Sequence, residues 1–118
     1  MAESDMLGGE MTVGAPFAVL GTYRSSSLVV EAKGELDMAV VDEFKAAFNG
    51  LDPSPEEVVV DLTGLTFMDS TGISGLLWAK EELLAEGVNW KLLISRGAVQ
   101  RVLEVAGVLE RLEARIVD

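Results

Sequence analysis

One stretch constrains this chain more than any other, the run from Val58 to Ile73. It opens on Val58-Val59-Val60-Asp61-Leu62, a β-branched segment apolar enough for a strand covered on both faces in the middle of a sheet. Thr63 to Met68 reads as a short glycine-bearing loop, and Asp69-Ser70-Thr71-Gly72 follows as a helix start. A buried strand that feeds a helix is the repeating unit of α/β folds. It sets Ser70 at the exposed N-terminus of that helix.

Strand and helix patterns alternate on either side of this unit. Phe17 to Tyr23 and Ser27 to Gly34 read as two strands joined across Arg24-Ser25-Ser26, an antiparallel hairpin. Asp37 is expected to cap a helix whose apolar positions Val40, Val41, Phe44, Ala47 and Phe48 recur at helical spacing, and Asn49-Gly50 stops it. The helix from Ser70 to about Glu86 carries Ile73, Leu76, Leu77, Leu83 and Leu84 on its inner face, with Gly87 as its end. Trp90 to Ile94 makes another strand. Gly97 to Ala106 makes a further helix with Val99, Val102, Leu103 and Ala106 inward, and a last short strand falls either near Leu109 to Leu112 or at Arg115 to Val117. The expected architecture is α/β with a mixed sheet. Residues 1 to 15 show no sustained period and read as a loosely ordered lead-in, with extra strand pairing near Met11-Thr12-Val13. One domain is expected over residues 16 to 118.

What the chain lacks narrows its chemistry. With no histidine and no cysteine, neither a Ser-His-Asp nor a Cys-His nucleophile can be assembled, nor a thiolate or imidazole metal site. A Ser-Lys pair of Ser70 with Lys80 or Lys91 remains formally open, but Lys80 lies roughly three helical turns away. The chain therefore reads as no enzyme, with no catalytic residue, metal or cofactor of its own. The glycines at 64, 72 and 75 form neither a dinucleotide fingerprint nor a Walker loop, and turn geometry or close backbone approach explains them better.

A net charge of −11 and the absence of any basic block argue against nucleic acid and against anionic membranes. Apolar runs are short and interrupted, and the acidic opening Met1 to Asp5 is no signal peptide, so the expected compartment is cytoplasmic, with no membrane insertion. Residues 1 to 70 carry 13 acidic and 3 basic side chains, against 7 and 6 in residues 71 to 118. A basic protein surface suits the half that leads into Ser70, although solubility alone also accounts for the charge.

Three segments in order, Gly34-Glu35-Leu36-Asp37, Val60 to Gly72 and Val99 to Gly107, resemble a STAS domain of the anti-sigma factor antagonist type. The resemblance covers roughly residues 17 to 112 and implies a STAS-like fold, a mixed sheet of about four to five strands with helices packed mainly on one side. It implies a partner-switching cycle: the unmodified antagonist binds an anti-sigma factor that is also a serine kinase, and the sigma factor is released. The kinase then phosphorylates the serine matching Ser70, which ends binding, and a phosphatase resets the cycle. On this resemblance the partner-binding residues are Asp69, Ser70, Thr71 and Gly72, and Trp78 joins them from its helical position alone, as an exposed tryptophan near the serine that either meets the partner or packs within the molecule. ATP and magnesium belong to the kinase.

Each of these residues also has a plainer role. A serine at such a junction often serves as an N-cap, and Asp69 as a capping carboxylate instead of a group that orients the hydroxyl or holds magnesium. Thr71 is an alternative acceptor whose methyl favours burial or capping, and Asp61 at the strand end suits backbone hydrogen bonding. Trp78 falls nearly opposite the apolar face of its helix, which exposes it unless another element covers it. A second reading is a non-switching STAS subunit of a transporter or sensory assembly. A receiver domain phosphorylated on Asp61 or Asp69 fits poorly, because no acidic pair follows an early strand.

Two features depart from the family pattern. Lys80 stands inside the apolar stripe where the family usually has an apolar residue, so its amine is expected to snorkel to the edge. Related domains continue into a final helix after the last strand, whereas this sequence ends at Arg115-Ile116-Val117-Asp118. The N-terminal segment or a homodimer is expected to cover the surface so uncovered.

Overall fold

The computed structural model describes residues 17–118, so the expected lead-in and the strand near Met11-Thr12-Val13 lie outside the described residues. The elements run β1 (Ala18–Arg24), β2 (Ser27–Leu36), α1 (Val41–Ala46), β3 (Glu57–Met68), α2 (Ser70–Ala85), β4 (Asn89–Ser95), α3 (Ala98–Val105) and β5 (Ala114–Val117). They form one five-stranded sheet in the order β1-β2-β3-β4-β5. β1 and β2 make the expected antiparallel hairpin, turning at Ser25, and every later pairing is parallel, with a helix in each crossover. Of the two candidate positions for the last strand, the structure takes the second. Leu112 is instead a buried residue of the preceding turn, where its carbonyl accepts the indole N–H of Trp90 at 2.9 Å.

All three helices pack on one face. Alternate residues of the three inner strands, Leu28, Val30 and Ala32 of β2, Val58, Val60 and Leu62 of β3, and Trp90, Leu92 and Ile94 of β4, share one buried cluster with Phe44, Leu76, Leu83, Val99 and Leu103 from the helices. Val59, Asp61 and Thr63, on the other face, are half-buried. The expectation that β3 is covered on both faces is therefore corrected among the described residues. Its apolar run reflects a central strand flanked by two others, with helices on one side only.

β3 is also longer than expected. The segment Thr63 to Met68 is no loop but continued strand, paired with β2 at Gly34↔Leu65, Glu35↔Phe67 and Leu36↔Met68 across two shifts of register. Gly64 sits at one shift, where a Cβ would come within 2.8 Å of Lys33 Cγ.

Three helix details differ from the sequence reading. Asp37 caps the turn before α1, accepting the N–H of Ala39 at 2.9 Å, while α1 begins after Val40 without a side-chain cap. Along α2 the buried stripe is Gly72, Ile73, Gly75, Leu76, Ala79 and Leu83, and Leu84 is 51% exposed. In α3 only Val99 and Leu103 are buried, Val102 being half-buried and Ala106 exposed. Lys80 does what its position demands: its stem lies in the stripe, and its amine reaches the Arg111 carbonyl and, at 2.9 Å, the Glu113 carboxylate. No helix among the described residues is long and apolar enough to cross a membrane.

Candidate functional site

Parallel pairing of β2, β3 and β4 brings their C-terminal ends to one edge of the sheet, and α2 and α3 both start there. Helix starts present unpaired N–H groups and the positive end of the helix dipole, so this edge favours negative charge. The first turns of α2 and α3 hold no acidic side chain, so the carboxylate set against these helix starts is that of Asp69, the residue before α2.

Asp69 is the N-cap of α2, in extended backbone, and its Oδ1 accepts the N–H of Thr71 at 2.9 Å and that of Gly72 at 3.2 Å. The Asp69 N–H donates to the Leu36 carbonyl at 3.3 Å, tying the start of α2 to the end of β2. Ser70 is thus the first helical residue and not the cap. Its side chain is exposed, and its hydroxyl makes no hydrogen bond among the described residues. Thr71 is half-buried, and its N–H is used by the cap.

Gly72 lies where a Cβ would come within 2.5 Å of Met68 Cγ and 3.1 Å of Leu36 Cγ. The glycine lets α2 sit hard against the end of the strands that position Ser70. Gly75 does the same against α1, with a Cβ reaching 3.0 Å from Val41 Cγ2. Asp61 lies on the opposite face, where its Oδ1 accepts the N–H and hydroxyl of Thr63 at 2.9 and 2.6 Å. That local bonding leaves it outside the edge around Ser70.

Trp78 is not free. It packs half-buried against the core, with the Lys45 amine 5.1 Å from its ring centroid, so α1 covers part of it. The structure therefore joins Asp69, Ser70, Thr71 and Gly72 in one edge and sets Trp78 two turns along α2, beside α1.

Other features of this edge escaped sequence reasoning. Met38 and Phe67, at the C-terminal ends of β2 and β3, are exposed. Ser70, Ile73, Arg101, Val102, Val105 and Ala106 line an open, largely apolar groove of about 380 Å³ between α2 and α3. The available signal was Val105, an apolar residue out of phase with Val99 and Leu103, which the structure leaves 89% exposed.

Fold and edge together define a class: a small one-sided α/β domain, five strands in sequential order, with a capped helix start presenting a hydroxyl. The chain belongs to the STAS domain family, whose model matches residues 20–117. It is 29% identical over 92 residues to the anti-sigma-F factor antagonist RsfA of Mycobacterium tuberculosis, covering 72% of this chain and 69% of that protein. Among solved structures, an anti-sigma factor antagonist from Mycobacterium paratuberculosis superposes with a TM-score of 0.76 at 23% identity, over 86% of this chain and 89% of the other. The anti-sigma factor antagonist SpoIIAA in its unphosphorylated form superposes with a TM-score of 0.68, also at 23% identity, over 87% and 89%. At these identities the two structures show a common fold.

Proposed function

We propose that this chain is an anti-sigma factor antagonist, and that phosphorylation of Ser70 by an anti-sigma factor with serine kinase activity switches its binding off. The observation that carries the reading is the division of labour at the start of α2. Asp69 performs the capping, so the Ser70 hydroxyl stands exposed with no structural duty among the described residues. The relationship to RsfA supports the antagonist role.

The chemistry of the cycle divides cleanly. The Ser70 oxygen attacks the γ-phosphorus of ATP, a P–O bond forms as the bond to the β-phosphate oxygen breaks, ADP leaves, and the hydroxyl proton passes to a base of the kinase. This chain supplies the acceptor and the docking edge. A phosphatase returns the hydroxyl by hydrolysis, and the cycle runs in the cytoplasm without nucleic acid.

A phosphate at a helix N-terminus is compatible with the fold and is stabilised by roughly 0.3 to 1 kcal/mol. Across an interface the sign reverses, since the group adds about −1.5 to −2 charges beside Asp69. One mismatched charge pair at ~5 Å with an effective dielectric of ~20 costs about 3 kcal/mol, roughly a hundredfold in affinity. Binding is lost while the domain stays folded.

Incubation with the cognate kinase and ATP tests this directly. Intact mass rises by one phosphate, and the rise disappears in Ser70→Ala. A chain that takes no phosphate, or takes it equally in Ser70→Ala, overturns the assignment.

A further inference from the structure

The groove between α2 and α3 holds a cation that the switching scheme does not use. Arg101 lies in the first turn or so of α3, is exposed, and lines the same groove as Ser70. A cation close to a helix N-terminus opposes the helix dipole, and α3 has no acidic residue in its first turn to compensate. Glu104, one turn on, accepts a hydrogen bond from Gln100 at 3.2 Å, and Arg101 forms no ion pair among the described residues. Lys80, Lys91, Arg96 and Arg111 each have a carboxylate partner, and among the remaining cations of the described residues Arg101 is set apart by lining the groove with Ser70. The titratable groups nearest the groove in sequence are thus Asp69, whose Oδ1 is held by two backbone N–H groups, Glu104, and Arg101 itself.

We propose that Arg101 receives the phosphate placed on Ser70, its guanidinium reaching across the groove to form a charge-assisted clasp between α3 and the start of α2. This rests on the reading of Ser70 as phosphoacceptor. The flat fork of a guanidinium matches two phosphate oxygens, and its long stem lets it cross an open groove without backbone movement. The clasp gives phosphorylation a second effect besides repulsion. It draws the Arg101 side chain over Ile73, Val102 and Val105, so the modified edge presents a closed, altered surface where the unmodified one presents an open apolar groove.

The test encodes phosphoserine at position 70 of the full chain and follows its phosphorus resonance over about pH 4 to 8, where the second phosphate ionisation falls. A nearby cation favours the dianion, so the phosphate in the otherwise wild-type chain is expected to titrate about half a unit or more below that in Arg101→Gln. Arg101→Lys should restore part of the difference, and the Arg101 Nε–H resonance should shift only in the phosphorylated chain. Coincident titrations in the wild-type and R101Q backgrounds overturn the clasp. Because the phosphate is encoded and not transferred, failure of the kinase assay and failure of this titration are read separately.

Discussion

The carboxylate of Asp69 accepts the backbone N–H of Thr71 at 2.9 Å, and this bond frees the residue between them. Residues on either side of Ser70 carry the local structure, so stability and switching are separable by single substitutions. Asp69→Ala should lose about 1 kcal/mol in urea denaturation, whereas Asp69→Asn, also a good cap, should lose little. Ser70→Ala should stay within about 0.5 kcal/mol of wild type. A larger loss in Ser70→Ala than in Asp69→Ala would reverse the assignment of cap and hydroxyl.

Gly72 gives a steric prediction. Helix propensity alone favours alanine there by about 1 kcal/mol, but the added Cβ would fall 2.5 Å from Met68 Cγ, and Met68 is itself buried. Overpacking costs about 1 to 3 kcal/mol, so Gly72→Ala should lower stability on balance. A rise in the midpoint of thermal unfolding would show that Met68 gives way freely.

Lys80 lends itself to a comparison of two substitutions. Its side chain is 13% exposed, and its partner Glu113 is 67% exposed, so the ion pair reaches into water and contributes little. What the residue supplies is its buried stem. Lys80→Met keeps that stem and should leave stability unchanged or raise it by up to about 1 kcal/mol, while Lys80→Ala should lower it by about 1 kcal/mol or more. Denaturation at low and high salt checks this. A strong salt dependence of the wild-type chain would give the pair more weight than its exposure allows.

The sheet and its mixed character were legible because β-branched runs and helical spacing alternate from Ser27 to Ser95, whereas the one-sided helices came with the family resemblance, since Val58 to Leu62 by itself reads as covered on both faces. Apart from the local shift of the Asp37 cap, the errors share a cause: they concern residues whose place depends on a distant neighbour. Thr63 to Met68 looks like a loop on local chemistry, and only pairing with the far end of β2 makes it strand. The inner face of α2 was read from its large side chains, whereas the helix is turned toward Gly72, Gly75 and Ala79, whose small size permits close approach to Met68, Leu36 and Val41. That turn puts Leu84 outside. At the site, Asp69, Ser70, Thr71 and Gly72 were legible as contiguous sequence, but Arg101 and Val105 join them only through the parallel order of β3 and β4.

The last prediction concerns binding and uses the partner. Ser70→Ala preserves the shape of the edge and cannot be modified, so it should bind the cognate anti-sigma factor as tightly as the unmodified chain. Ser70→Glu places one negative charge at the same helix start, without the second charge or the three oxygens of a phosphate. At ~5 Å and an effective dielectric of ~20, a mismatched charge costs about 3 kcal/mol, and flexibility of the longer side chain reduces that. A loss of roughly tenfold to a hundredfold in affinity is expected, read by titration calorimetry. Ser70→Ala should unfold at the wild-type denaturant midpoint and Ser70→Glu at or slightly above it, because Asp69 still caps α2 in each and a negative charge suits the helix start. Equal affinity of the two for the anti-sigma factor would mean that the partner docks away from this edge.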